Sequence, residues 1–384
     1  MSAPLRLEPP DDDAPDGTGT FAAPATRPAR YVAPVMLRTP QARRDEFDRH
    51  LSVATPDERA GMLSEAQTRE ARETLFRPVE HAVSFPYGSL DALVDRLTEG
   101  RLVVFAANTG QGKTTFLLDV VHHWATVNRH VVHYLGLEQS GAELRTKVAC
   151  YRAQVPVGIA ISRSFDRYPN GDAMRDAVDG ELAVMDSDDD MVQSLVFEPE
   201  VEIDVPRIER AARTAAKHGA SVLVIDHINR FAVGQGQNEY TEHKKFIRRL
   251  KELAGETGLV ILGAAQMNRE ARGGDRLASH RPPQTQHLRS GGHVEEEADV
   301  ILGAWKPIRS PNPNESPKDY RDAVTAAREG TVEKHTILMP GTMAIEVLKH
   351  RTWGQNEGKR TMLSLTPSGR LSDKPVREFG RYDA

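Results

Sequence analysis

From Phe85 onward the chain alternates short, almost wholly apolar runs with longer stretches in which apolar residues recur every three or four positions. The runs at 102–107, 131–136, 221–226 and 259–265 are too short for stable helices and lack a polar face, the pattern of strands buried on both sides. Between them, 113–128, 142–154, 205–218 and 241–257 carry helical spacing. Further strands are predicted near 299–305, 344–349 and 361–365. Strands covered on both faces and separated by helices form a parallel sheet with right-handed crossovers, so the expected fold class is α/β with a mostly parallel twisted sheet. A polar excursion at 310–334, with a short helix over 318–328, is inserted between two late strands.

The residues before Phe85 read differently. The first forty hold eight of the 24 prolines, an Asp11-Asp12-Asp13 run and no apolar periodicity, so they are expected to be disordered. Residues 41–76 are charged and helix-friendly, interrupted by Pro56 and followed by Pro78. They predict one or two helices, either solvated or docked on a neighbouring subunit. The expected organisation is a tail over 1–40, a helical linker over 41–76 and one large domain over 77–384.

Composition narrows the function classes. The 384 residues carry 50 Lys+Arg against 55 Asp+Glu, a net charge of -5, which excludes a globally basic nucleic-acid coat but not a local basic channel. The single cysteine, Cys150, excludes an internal disulfide framework and a multi-cysteine zinc site. No apolar run approaches the ~18 residues of a membrane span, and the first residues lack the apolar core of a signal peptide. A cytoplasmic protein with no membrane partner is expected.

The strongest local signal is a strand, then Ala107-Asn108-Thr109-Gly110-Gln111-Gly112-Lys113-Thr114-Thr115, then a helix. Gly110 and Gly112 let backbone amides turn inward around phosphates, and the helix start adds free amides and a positive dipole end. Lys113 supplies a point charge and the Thr114 hydroxyl a ligand for Mg²⁺, so 108–115 is the expected ATP cradle. Ala107 stands where the generic motif has glycine. Hydrolysis also needs a carboxylate to support the metal and a group to handle the water. Asp226 ends the apolar strand 222–226 in the manner of a Walker-B aspartate. Glu138, just past the strand 131–136, is the candidate general base, and Gln266 ends a third apolar strand in the same way.

These stretches, with Gly136-Leu137-Glu138-Gln139, Gln266-Met267-Asn268-Arg269, Leu288-Arg289-Ser290-Gly291 leading to Ala298-Asp299, and Leu348-Lys349-His350-Arg351, resemble the C-terminal motor domain of DnaB-type replicative helicases. The lead-in Phe85-Pro86-Tyr87-Gly88 is also similar, and the resemblance runs from about Phe76 to Leu371. It implies a RecA-like ATPase fold over 77–384 and a homo-oligomeric ring, usually a hexamer, with ATP at subunit interfaces and single-stranded DNA in its channel. By position it implies phosphate and Mg²⁺ roles for Lys113 and Thr114, a metal-supporting role for Asp226, a base at Glu138 and a sensor at Gln266. Arg351 would be an arginine finger reaching a neighbour's γ-phosphate, with Lys349 beside it. Residues 1–76 do not read as the helical N-terminal domain of bacterial DnaB proteins, so the manner of ring assembly and partners such as a primase or a loader are not carried over from the resemblance.

In this branch the DNA-binding loops follow the Walker-B and sensor strands. Here the first is 229–238, with Arg230 its only cation, and the second is 268–290, with Arg269, Arg272, Arg276, Arg281 and Arg289. No aromatic residue interleaves these arginines, so backbone tracking with little sequence preference is expected. The expected activity is ATP-driven unwinding of duplex DNA in replication. Two alternatives remain open: a RecA-like DNA-dependent ATPase that does not unwind, and a KaiC-like nucleotide switch acting through protein partners.

Overall fold

A computed structural model describes residues 49, 51–76, 82–187, 195–198, 204–230, 238–267, 277–288, 291–312, 314–333, 337–339, 341–366 and 368–373. The tail expected over 1–40 lies outside the described residues. The chain divides into two compact units, Met1–Arg77 and Pro78–Ala384.

In the first unit, helix α1 (Pro56–Phe76) starts where proline is tolerated, because the first helical amide has no intrahelical partner. Thr55 and Glu58 close a reciprocal capping box: the Glu58 amide donates to Thr55 Oγ1 and the Thr55 amide to Glu58 Oε2.

Among the described residues, the second unit is built on one sheet of nine strands: β1 (Leu102–Ala107), β2 (Val132–Gly136), β3 (Leu195–Glu198), β4 (Val222–Asp226), β5 (Val260–Gln266), β6 (Val300–Trp305), β7 (Thr342–His350), β8 (Arg360–Leu365) and β9 (Leu371–Ser372). Their spatial order is β3-β2-β4-β5-β1-β6-β7-β8-β9. The strands from β3 through β6 in that order are parallel, and β7, β8 and β9 continue the sheet antiparallel. The mostly parallel α/β class read from the sequence is the class observed.

Side-chain alternation along β1 explains the layering. Val103, Phe105 and Ala107 face a core shared with α2 (Gly88–Val94), α3 (Lys113–Thr126), α4 (Gly141–Ala153), α5 (Val157–Ile161) and α6 (Gly171–Ser187). Leu102, Val104 and Ala106 face the opposite core, shared with α7 (Val205–Lys217), α8 (Glu239–Thr257) and α9 (Gly291–Glu297). Phe105 and Phe116 stack with centroids 3.9 Å apart, seating α3 on β1. The polar excursion carries α10 (Pro317–Glu329), capped by Ser316, whose hydroxyl accepts from the Asp319 amide.

The short elements α2, α5, β3 and β9, and the longer α6, have no counterpart in the pattern reading. Strand β3 is an edge strand with only Leu195 buried, so it lacks the continuous apolar signal of the central strands. Strand β9 is held by a buried carboxylate: Asp119 of α3 accepts from the Tyr87 hydroxyl at 2.6 Å, Arg370 Nε at 2.9 Å and the Leu371 amide at 3.0 Å. Tyr87 in the lead-in segment therefore has a structural task, tying it to α3 beside the last strand.

One turn along α3, His122 is buried and neither ring nitrogen has a hydrogen-bond partner among the described residues. Burial, and then the nearby Arg370 charge, pull its pKa down to about 4; Asp119 acts the other way, and Arg152 and His123 add to the depression. The unfolded chain binds this proton near pH 6.5 and the folded chain does not, so stability present at neutral pH is lost as pH falls from about 6.5 to about 4. The shift corresponds to about 3 kcal/mol. His122→Leu should therefore lose less stability than the parent between pH 7 and pH 4.5 in urea unfolding. Parallel pH profiles would show that His122 contributes nothing to acid sensitivity.

Candidate functional site

The parallel strands end together on one side of the sheet, and the loop after β1 lies among those ends. Gly110 and Gly112 take φ of 77° and 94°, left-handed values that L side chains rarely adopt. A Cβ on Gly112 would also meet Met343 Cε of β7 at 2.5 Å, so the methionine tip would have to move, and the left-handed backbone remains the stronger reason for glycine there. Helix α3 begins at Lys113 with Gly112 in the cap position and no side-chain cap. Its first amides are thus left to the loop, the arrangement that suits an anion.

The ends of the two strands that flank β1 hold this loop. Gln111, buried, accepts the Lys306 amide just after β6 at 2.8 Å. Gln266 at the end of β5 donates from Nε2 to Thr109 Oγ1 at 2.6 Å, and its own amide donates to Asn229 Oδ1 at 2.6 Å. Lys113 Nζ donates back to the carbonyls of Ala107 and Asn108 at 3.1 and 3.4 Å. Thr115 lies close to Tyr151 of α4.

Thr114 Oγ1 donates to Asp226 Oδ2 at 2.8 Å, and the Tyr134 hydroxyl donates to the same oxygen at 2.8 Å. Burial, and then the Asp226 charge, raise the Tyr134 phenol well above its ordinary pKa, so it remains a donor. Asp226 is buried, and its other oxygen, Oδ1, has no hydrogen-bond partner among the described residues. A buried carboxylate oxygen left unpaired costs free energy unless something binds it. An orphaned oxygen beside a threonine hydroxyl is a donor set that fits Mg²⁺. Glu138, just beyond β2, is half exposed, and its Oε1 takes a hydrogen bond from His227 Nε2 at 3.0 Å. Lys113, Thr114, Asp226, Glu138 and Gln266 are therefore brought to one side of the sheet.

Arg351 and Lys349 are not. They follow or end β7 beside the starting ends of β1 and β6: the Arg351 amide donates to the Asp299 carbonyl, and Asp299 Oδ2 accepts the Leu102 amide. The length of β1, about 17 Å between its first and last Cα, separates them from the phosphate loop. Arg351 Nη1 lies 3.4 Å from Asp299 Oδ1, and its Nη2 donates to the Glu296 carbonyl at 2.8 Å. Lys349 Nζ donates to the Glu295 carbonyl. Burial, then the Arg351 charge, lower the Lys349 pKa from its usual value. Both cations thus sit on the carbonyl end of α9, which a helix dipole favours.

Across this fold, the family described as DnaB-like helicase C terminal domain matches residues 82–347. The chain belongs to that family. The replicative DNA helicase DnaB of Leifsonia xyli subsp. xyli is 24% identical over 219 residues, 56% of this chain and 45% of that protein. The probable plasmid replicative DNA helicase of Chlamydia trachomatis is 25% identical over 225 residues, 57% of this chain and 46% of that protein. The match to the Geobacillus stearothermophilus DnaB helicase is 22% identical over 275 residues, 68% of this chain and 57% of that protein. This DnaB-like chain thus spans about half the length of the curated relatives it matches. Among solved structures, the ATPase domain of G40P superposes with TM-score 0.58 at 17% identity, over 82% of this chain and 99% of that one. A DnaB-like replicative helicase, described with its interactions with primase, gives 0.57 at 17% identity, over 86% and 75%. These likenesses establish the shared fold.

The DnaB-like site also holds residues that the motif reading passed over: Tyr134 on Asp226, Asn229 on Gln266 and His227 on Glu138. Tyr134 carries the only hydroxyl in the fully buried β2, which is the one cue the sequence offered. Of the arginines read as DNA contacts, Arg269, Arg272, Arg276 and Arg289 lie outside the described residues. Arg281 is exposed, next to the short helical turn Ala278–His280. Arg230 turns back to the Leu137 carbonyl. Among the described residues, no helix is long and apolar enough to cross a membrane.

Proposed function

We propose that this chain is an ATP-driven, ring-forming motor that moves on single-stranded DNA and unwinds duplex DNA in replication in the cytoplasm. The observation that carries the reading is the gathering of Lys113, Thr114, Asp226, Glu138 and Gln266 around one loop, within the residues matched by a helicase family. Backbone amides from Asn108 to Lys113 and the Lys113 ammonium bind and orient the phosphates of ATP. Thr114 and Asp226 would hold Mg²⁺, whose charge offsets that of the phosphates. Glu138 takes the proton of the attacking water, and Gln266, linked to Thr109, reads whether the terminal phosphate is present. Arg351 lies too far from the phosphate loop of its own chain, and would serve the site of the next subunit in a ring such as a hexamer. The arginines of 268–290 and Arg230 would track DNA phosphates.

The test is ATP hydrolysis with and without single-stranded DNA, followed by strand displacement on a forked duplex, with Lys113→Ala as the blank. DNA-stimulated hydrolysis with displacement supports the motor. Stimulation without displacement transfers the reading to a DNA-dependent ATPase that does not unwind. Hydrolysis indifferent to DNA points to a switch acting through protein partners.

A further inference from the structure

Arg230 is the last described residue before segment 231–237 of the first candidate DNA loop, yet its guanidinium faces the hydrolytic site. Its Nη1 donates to the Leu137 carbonyl at 2.5 Å, and its Nε lies 3.9 Å from Glu138 Oε1. The same Oε1 takes the hydrogen bond from His227 Nε2 at 3.0 Å. A carboxylate cannot donate, so Nε2 carries the proton here. The Leu137 amide is bound in turn by the Asp226 carbonyl at 2.9 Å, which fixes the backbone from which Glu138 projects. One oxygen of the candidate base is thus hydrogen-bonded by a buried imidazole and lies at ion-pair distance from a guanidinium.

The two restraints differ in access. The His227 side chain is 6% exposed and joined directly to Asp226, so it moves only with the strand end. The Arg230 side chain is 56% exposed and opens the loop, so an incoming polyanion can reach it. A phosphodiester competes well for such a group, because an arginine binds phosphate in a fork and releases condensed counterions as it does so.

We propose that Arg230 is a positioning residue that restrains Glu138 in the absence of DNA, and that single-stranded DNA phosphates draw it away and free the base. The proposal rests on the reading of Glu138 as the base of an ATP hydrolase. Strand engagement and hydrolysis are then coupled through one side chain, with no rearrangement of the phosphate loop. His227 keeps Glu138 at the strand end after Arg230 leaves.

The experiment measures ATP turnover of the full chain against oligo-dT concentration for the parent, Arg230→Ala, Arg230→Lys and Lys113→Ala. Arg230→Ala should raise the DNA-free rate by about two- to fivefold, the range an exposed ion pair supports, and lower the stimulation ratio by the same factor. The rate at saturating DNA and the KM for ATP should stay as in the parent. Arg230→Lys keeps the charge but not the fork, and should fall between the two. An unchanged or reduced DNA-free rate in Arg230→Ala, with only more DNA needed for half-maximal stimulation, would overturn the proposal and leave Arg230 an ordinary phosphate contact. Parent turnover no faster than Lys113→Ala would instead overturn the hydrolase reading, and the proposal with it.

Discussion

Lys113→Ala is expected to lower ATP turnover by about a thousandfold or more, the loss that follows removal of a group aimed at developing phosphate charge. Lys113 Nζ donates to the Ala107 and Asn108 carbonyls, so the ammonium is already directed over the loop that cradles the phosphates. The fold should tolerate the change. The loop is fastened independently by Gln111 to the Lys306 amide and by Thr109 to Gln266, and α3 is seated by Phe116 on Phe105. Steady-state phosphate release, read beside far-UV circular dichroism and a thermal melt, separates lost chemistry from lost structure. Turnover within tenfold of the parent would sink the phosphate-loop assignment.

The parts of this molecule that were readable in the sequence share a physical cause. Strands β1, β2, β4 and β5 are buried along their whole lengths, or all but the last residue of β5, so nearly every position is apolar and the run announces itself. The residues that follow them or end them, Asn108, Glu138, Asp226 and Gln266, were identifiable because polar groups closing such runs must emerge where parallel strands end. What was not readable depends on contacts between segments far apart in sequence. Nothing in the spacing of Tyr134 and Asp226, or of Asn229 and Gln266, states that they meet. Edge strand β3 hides because a half-buried strand needs few apolar residues. Arg230 shows the same limit: its position marks it as a loop cation, and nothing in the spacing states that its Nη1 turns back to the Leu137 carbonyl.

Arg351→Ala carries the second large effect. Two roles compete for Arg351. In one it closes the carbonyl end of α9 and neutralises Asp299, a buried carboxylate that also meets Lys251 Nζ at 2.6 Å and Arg101 Nη1 at 3.6 Å. In the other it is held there so that its 44% exposed side chain meets the terminal phosphate of a neighbouring subunit's ATP. Because Lys251 and Arg101 still pair with Asp299, losing Arg351 should cost little stability. The finger role predicts a fall in turnover of about a thousandfold or more, with nucleotide binding retained. Mixing gives the decisive reading. Lys113→Ala subunits retain the finger and Arg351→Ala subunits retain the phosphate loop, so rings containing both should recover turnover at the junctions where an intact finger meets an intact loop. A cap on α9 serves only its own chain and cannot be supplied by a neighbour. Recovery on mixing would therefore establish an interface-shared site, whereas two inactive variants that stay inactive together would return Arg351 to the role of a helix cap.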